Sequence, residues 1–164
     1  TSFSDLTGGR LGLAFDLPTV AQWERACRSG TTNALNSGIE LTNTAADAGM
    51  DAVGRYLYNG GMEYASTGTT AVGTAAVGSY APSPWGLYDA HGNVWEWCLN
   101  WYESAPADAV DPPGPATGIR RVLRSGAFFE TAADCRSAND RGNGLIPSYR
   151  DNNAGFRLAL TLGQ

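Results

Sequence analysis

The segment from Gly86 to Cys98 constrains the fold of this chain more than any other stretch. It reads Gly-Leu-Tyr-Asp-Ala-His-Gly-Asn-Val-Trp-Glu-Trp-Cys and holds two tryptophans, a glutamate, a thiol and the only histidine of the chain. Large aromatic side chains bury much surface, and a buried indole N–H needs a hydrogen-bond partner. We therefore expect this central segment to lie in the middle of a domain, with its polar groups satisfied by residues from elsewhere in the chain.

The composition is that of one globular domain. The chain has 164 residues, of which 43% are hydrophobic and 16% are charged, so we expect a single domain over residues 1–164. The formal net charge of −5 argues against nucleic-acid binding, which needs a basic surface. No apolar run approaches the roughly 20 residues of a membrane span. The sequence starts at Thr1 with no methionine and no signal peptide, which predicts a shortened chain and leaves the compartment open.

A helix is predicted to begin after Thr19. Thr19 and Gln22 have the spacing of a capping box, in which the side chain of each residue bonds the backbone N–H of the other. Gly30 is the predicted C-terminal stop of this helix. Between these signals the apolar residues recur on one helical face, and they are Val20, Trp23, Ala26 and Cys27.

The other local patterns predict short elements joined by loops. They are a helix over residues 46–53, a strand-like piece over 55–58, an extended segment over 70–80, and strands over 99–102, 120–123 and 156–160.

The central segment resembles the signature of the formylglycine-generating enzymes, or sulfatase-modifying factors. The similar residues are Gly-Leu-Tyr-Asp-x-x-Gly-Asn-Val-Trp-Glu-Trp, and three further segments, Phe15–Ala26, Arg121–Gly126 and Asn153–Arg157, are similar to other parts of that family. The resemblance covers residues from about 11 to 160. It implies an α+β fold, the C-type lectin variant of this family, loop-rich with a short mixed β-sheet and few helices. It also implies that the N-terminal part of the domain is shortened.

The catalytic groups of the resembling enzymes are missing from this sequence. The oxidases of the family use a closely spaced pair, Cys-x₄-Cys, where residues 125–135 contain only Cys135. The related sulfoxide synthases need several histidines around iron, and this chain has only His91. His91 and Cys98 are seven residues apart and could pair for nucleophilic catalysis, but a structural role is favoured inside the buried central segment. We therefore expect a non-catalytic protein that requires no cofactor.

The resemblance implies two structural features as well. In the family, Asn and Glu side chains and backbone carbonyls near the signature hold Ca²⁺, which corresponds here to Asn93, Val94 and Glu96. The alternative is that Glu96 pairs with a buried arginine. The family's pairing also implies a disulfide between Cys27 and Cys135. The alternative is three buried or reduced thiols, none of which has the spacing of a zinc site.

The segment of residues 129–151 supports the main functional hypothesis. It mixes apolar and polar residues without a period, which is typical of an exposed loop surface. Its frame, from Arg-Val-Leu-Arg-x-Gly through Cys-Arg-Ser-Ala-Asn-x-Arg to Asn-Asn-Ala-Gly-Phe-Arg-Leu, resembles the variable region of proteins diversified by retroelements. Such diversification replaces adenines, mostly in asparagine codons, and yields NNY codons. Between Thr131 and Asn153 there is no Trp, Gln, Lys, Glu or Met, the residues that NNY codons cannot encode.

That resemblance implies a receptor-type protein whose hypervariable surface, within residues 125–157, binds a protein or a cell-surface ligand. Display on a bacterial or phage surface is compatible with it. Phe129 and Tyr149 are the predicted aromatic anchors of this surface. We expect four arginines to belong to the fixed frame and to pair with carboxylates: Arg136, Arg141, Arg150 and Arg157. The full set of predicted ligand-binding residues is Phe129, Glu130, Thr131, Asp134, Asp140, Gly142, Gly144, Leu145, Ile146, Ser148, Tyr149 and Asp151.

Two other classes of function stay open from the sequence. One is an oxidoreductase of the formylglycine-generating or sulfoxide-synthase type. The other is a plain carbohydrate-binding lectin module.

Overall fold

Over the residues that the structure describes, the fold consists of short strands and two helices connected by irregular segments. The structure is a computed structural model, and it describes residues 13–60, 73–104 and 114–162. The helices are α1 (Val20–Arg28) and α2 (Ala48–Val53). The strands are β1 (Leu13–Asp16), β2 (Gly54–Arg55), β3 (His91–Gly92), β4 (Trp95–Trp101), β5 (Arg121–Arg124), β6 (Ala154–Gly155) and β7 (Ala159–Leu162), and there are 3₁₀ turns at Leu57–Asn59 and Ala132–Cys135.

The strands form three small sheets of mixed direction. Strand β4 is the middle strand of the largest sheet, antiparallel to β5 and parallel to β6. Strands β1 and β7 form an antiparallel pair, and β2 and β3 form a short parallel pair. This arrangement confirms the predicted α+β fold, loop-rich with few helices and short mixed sheets. No helix among the described residues is long and apolar enough to cross a membrane.

The central segment lies in the core, as its aromatic content predicts. Strand β4 alternates its side chains between two apolar clusters, because successive residues of a strand point to opposite faces. Trp95 packs with Leu123 and Ala127 on one side. Cys98 packs on the other side, in a cluster that also contains Trp23, Cys27, Ala90 and Val122.

Helix α1 begins as predicted, and the predicted Gly30 follows directly after its C-cap residue. The Gln22 N–H donates to Thr19 Oγ1 at 3.1 Å, and the Thr19 N–H donates to Gln22 Oε1 at 2.9 Å, which confirms the capping box. Gly30 has φ 89°, and immediately before it the left-handed conformation is also taken by Ser29, with φ 49°. Its hydroxyl donates to the Ala26 carbonyl at 2.9 Å and contacts Ser83 Oγ at 2.7 Å. These bonds compensate for the strain of a non-glycine residue in that region.

Tertiary contacts also shift other predicted elements. The strand-like piece predicted over 55–58 ends at Arg55, because the Asn59 side chain accepts the Tyr56 N–H and donates to the Gly54 carbonyl, which closes a 3₁₀ turn. The strand predicted over 156–160 begins only at Ala159, where pairing with Asp16 starts. The predicted segment 70–80 lies partly outside the described residues, and its described part is irregular.

Candidate functional site

The carboxylate of Glu96 is the centre of a buried hydrogen-bond network. Trp23 Nε1 donates to Glu96 Oε2 at 2.6 Å. The Arg157 guanidinium donates from Nε to Oε2 at 3.0 Å and from Nη2 to Oε1 at 2.8 Å. The Glu96 side chain is 7% exposed and that of Arg157 is 30% exposed. The network therefore joins helix α1, strand β4 and the segment after β6 through one carboxylate.

Two of the predicted calcium ligands, Asn93 and Glu96, make hydrogen bonds to protein groups in this structure. Both oxygens of Glu96 accept hydrogen bonds from Arg157, so an adjacent cation already neutralises this carboxylate. The Asn93 side chain accepts the Ala75 N–H at 3.0 Å and faces the Ala75 carbonyl with its amide nitrogen. Among the described residues there is no group of three or more His, Cys, Asp or Glu that could hold a metal ion. The observed role of Glu96 is the alternative one, a pair with a buried arginine.

His91 is buried and its neutral tautomer is set by backbone groups. The Asn36 N–H donates to His91 Nε2 at 3.0 Å, so the proton of the ring is on Nδ1, which lies 2.8 Å from the Cys135 carbonyl. Burial is the main reason that the pKa of His91 is lowered to about 4, and the charge of Arg28 adds to this effect. A neutral imidazole bonded on both nitrogens has no site left for a substrate proton.

The cysteines differ from the disulfide prediction. Cys27 and Cys135 are free buried thiols, as is Cys98, so the structure does not join Cys27 to Cys135. The reason is that each packs in a different cluster, Cys27 with Trp23 and Cys135 with Tyr56, and His91 contacts both residues. Burial raises the pKa of Cys27 and of Cys98 to about 12. A thiol that stays protonated is a poor nucleophile.

Three of the predicted surface residues point toward the scaffold instead. The Glu130 carboxylate accepts the indole N–H of Trp95 at 3.2 Å, and burial raises its pKa. Asp134 accepts hydrogen bonds from the Thr131 hydroxyl at 2.5 Å and from the Thr131 N–H at 3.3 Å, and so caps the turn Ala132–Cys135. These half-buried side chains stabilise the start of the 129–151 segment.

Three more predicted residues attach the segment to the sheet. Leu145 exchanges two backbone hydrogen bonds with Arg121 of β5, at 2.8 and 3.0 Å. The side chains of Leu145 and Phe129 are half-buried against the cluster around Trp95. Gly144 is buried against the β5 backbone.

The other six predicted residues form the accessible part of the site. Five of them are exposed, and Tyr149 is half-buried with its hydroxyl 2.9 Å from Asp151 Oδ2. Asp140 accepts the Gly142 N–H at 2.8 Å, a bond internal to the loop. The exposed five are Asp140, Gly142, Ile146, Ser148 and Asp151.

Only one of the four expected frame arginines has the expected carboxylate partner. Arg157 pairs with Glu96. Arg136 is exposed and donates to the Ala133 carbonyl, and Arg141 lies 5.5 Å from the centre of the Trp95 ring. Arg150 is exposed. Among the described residues, none of these three guanidinium groups forms an ion pair within 4.0 Å.

Two glycines of the 129–151 segment allow a matched test of which positions tolerate substitution. Gly142 and Gly144 have φ of 58° and 56°, so alanine is conformationally strained at both. Only at Gly144 would the added Cβ meet a neighbour closely, the Arg121 carbonyl oxygen at 2.5 Å. We expect Gly142→Ala to lower the free energy of unfolding by about 1 kcal/mol and Gly144→Ala by about 2–3 kcal/mol in urea denaturation. Equal losses for the two variants would contradict the buried position of Gly144.

Sequence reasoning missed three residues that border the accessible surface. Trp97 is half-buried on the same side of β4 as Trp95, and it lines a depression with Arg121 and Pro147. The two-residue period of Trp95-Glu96-Trp97-Cys98 was the available signal, because it places both tryptophans on one face. The central segment therefore contributes to the surface as well as to the core.

The chain is similar to proteins of one family over almost its whole length. The family model described as the sulfatase-modifying factor enzyme 1-like domain matches residues 2–162. The formylglycine-generating enzyme of Streptomyces coelicolor is 35% identical over 169 residues, which cover 96% of this chain and 50% of that enzyme.

Two solved structures are similar as well. Treponema denticola variable protein 1 matches with a TM-score of 0.68 and 32% identity, covering 88% of this chain and 47% of that protein. PvdO from Pseudomonas aeruginosa matches with a TM-score of 0.72 at 22% identity, covering 94% of this chain and 56% of that protein, which shows a common fold. The chain thus spans about half the length of these relatives. The family match, together with the observed fold, shows that this chain belongs to the sulfatase-modifying factor enzyme 1-like domain family.

Proposed function

We propose that the chain is a non-catalytic, receptor-type binding protein whose accessible surface within residues 129–151 is diversified by a retroelement. The observation that carries the proposal is the separation between anchoring and accessible groups in this segment. Backbone bonds hold it to the scaffold, such as Ser137 N–H to the Ala34 carbonyl at 2.9 Å and the exchange between Leu145 and Arg121. Backbone bonds do not depend on side-chain identity.

The accessible side chains make their described bonds within the loop itself. Asp140 bonds Gly142, and Tyr149 bonds Asp151 and, at 3.3 Å, Asn153. A substitution at Asp140, Ile146 or Ser148 therefore leaves the core contacts in place, which is what a surface that changes its ligand requires. The likeness to Treponema denticola variable protein 1 supports this proposal.

The test is deep sequencing of the gene from one strain, with a search for an adjacent template repeat and a reverse transcriptase gene. We expect substitutions to cluster at codons of accessible residues, such as Ile146, Ser148 and Tyr149, and to spare the buried Ala132, Cys135 and Gly144. The changes should map to adenines of the repeat. A uniform distribution of substitutions over the gene would sink the proposal.

An oxidoreductase is the second candidate, because relatives named formylglycine-generating enzymes are about a third identical to this chain. It predicts oxidation of a cysteine-containing sulfatase peptide in the presence of copper, and loss of that activity in Cys98→Ser and Cys135→Ser. The binding proposal predicts no peptide oxidation, because the three thiols are buried and unpaired. Mass spectrometry of the peptide, with a characterised formylglycine-generating enzyme as the positive control, separates the two.

A further inference from the structure

A small apolar depression lies at the border between the scaffold and the 129–151 segment. It has a volume of about 290 Å³ and is lined by Leu17, Trp97, Cys98, Arg121, Pro147 and Phe156. We call it the Trp97 pocket. Pro147 is the one lining residue that comes from the 129–151 segment, and the other five belong to the scaffold.

The aromatic walls of the Trp97 pocket face solvent more than aromatic side chains usually do. Phe156 is 67% exposed, and Trp97 is half-buried. Ile146, next to Pro147 on the loop, is 47% exposed and extends the apolar surface toward the proposed binding region. Exposed aromatic and aliphatic groups around a concavity are typical of a site that receives an apolar side chain from a partner.

Arg121 gives this apolar pocket a positive charge. Its guanidinium stacks on the Trp101 ring at 3.6 Å from the ring centre, and its Nη1 donates to the Leu99 carbonyl. Within the described part of the chain no carboxylate lies within 4.0 Å of it, and Asp16 acts on its charge only at longer range. A guanidinium has five N–H donors, so several donors of Arg121 are left for a ligand.

We propose that the Trp97 pocket is a constant anchor site for a protein ligand that inserts an aromatic side chain next to a carboxylate. The aromatic group packs between Trp97 and Phe156, and the carboxylate pairs with Arg121. This proposal rests on the proposed binding function and assigns its surface two parts. The pocket supplies a fixed contact shared by all ligands, and the accessible loop residues beside Pro147 distinguish one ligand from another.

The arrangement fits a surface whose other residues change. A diversified loop cannot retain an inherited contact at its changing positions, whereas strands β4 and β5 hold Trp97 and Arg121 by sheet pairing. A fixed aromatic anchor also contributes contact area with little loss of side-chain entropy. The chemistry of the pocket therefore predicts a preference for acidic, aromatic segments in every ligand that the protein accepts.

The test uses three N-acetylated dipeptide amides that share a phenylalanine and differ in the second residue, which is glutamate, glutamine or lysine. Each is titrated into isotope-labelled protein while amide and indole NMR signals are recorded. We expect saturable shifts at Trp97, Arg121 and Phe156, with the glutamate peptide binding at a Kd of about 1 mM and the lysine peptide roughly fivefold more weakly. Equal affinity of the three peptides, or shifts located elsewhere, would overturn the proposal.

Variants at exposed positions separate the two components of the site. Phe156→Ala should weaken all three peptides, and Pro147→Glu should weaken the glutamate peptide selectively, since it adds a carboxylate beside Arg121. Arg121→Gln should abolish the preference for the glutamate peptide over the glutamine peptide. If Arg121→Gln fails to fold because its stack on Trp101 is lost, Pro147→Glu still tests the role of charge. Ile39→Ala, at an exposed residue outside both the pocket and the 129–151 segment, should change nothing. Peptide binding without gene diversification would refute the proposed function and leave the pocket assignment standing.

Discussion

Replacing Glu96 with alanine is expected to lower the free energy of unfolding by about 3–5 kcal/mol, the loss typical when one partner of a buried ion pair is removed. The variant leaves the Arg157 guanidinium without its carboxylate and leaves the Trp23 indole N–H, donated at 2.6 Å in the intact protein, without an acceptor. Domains of this size have a free energy of unfolding of about 5–15 kcal/mol, so the variant is expected to lose a large part of its stability. Urea denaturation followed by tryptophan fluorescence measures the loss.

Two matched variants give this prediction its controls. Glu103→Gln removes an exposed carboxylate and should change stability by less than about 0.5 kcal/mol. The double variant Glu96→Ala, Arg157→Ala removes both charges and should lose less than the sum of the two single variants, because the half-buried guanidinium is no longer left without its carboxylate. Additive losses would show that the two side chains do not interact in the folded protein.

The second large effect concerns pH, through His91. Its pKa is 6.5 in an unfolded chain and about 4 in the folded protein, because burial disfavours the imidazolium. The unfolded state therefore binds the proton more tightly. The stability that His91 contributes is complete above pH 6.5 and is lost as the pH falls toward 4. A difference of about 2.5 pKa units corresponds to a loss of about 3 kcal/mol over this interval.

The measurement of this effect is unambiguous, because His91 is the only histidine of the chain. NMR titration of its ring carbon resonances in the folded protein should give a midpoint near pH 4. Urea denaturation at pH 7 and pH 4.5 should show the corresponding loss of stability. The raised pKa of Glu130 acts in the opposite direction, since a protonated carboxyl is favoured in the folded state, so the comparison is best made in a Glu130→Gln background. A ring that titrates near pH 6.5 in the folded protein would contradict the buried, neutral assignment.

Features that depend on neighbouring residues could be predicted from the sequence. The two residues of the capping box, Thr19 and Gln22, are only three positions apart, and the helix predicted over 46–53 is observed as Ala48–Val53 with Asp47 as its N-terminal cap. The central segment was predicted to be core because its composition demands burial, and Trp95 and Cys98 are buried. The resemblance of its residues to a known signature predicted the fold correctly, because a long irregular motif specifies one arrangement of buried groups.

The accessible face of the 129–151 segment was decided by the tertiary structure. Composition shows that the segment has no period, but it does not show that Leu145 pairs with Arg121 or that Glu130 reaches Trp95. These partners are 24 and 35 residues away in the chain. Contacts with the sheet therefore determine which of the predicted ligand-binding residues anchor the segment and which are accessible.

The role of Glu96 shows the same division between local and long-range information. The sequence by itself determined that a carboxylate lies between two tryptophans in a buried strand, and it left a calcium site and an arginine pair as alternatives. The tertiary structure supplies the arginine pair, since Trp23 and Arg157, at 73 and 61 residues from Glu96, converge on its two oxygens. The physical reason is range. Capping, alternation and burial act between neighbours in the chain, whereas the partner of a buried charge is whichever group the completed fold brings within hydrogen-bond distance.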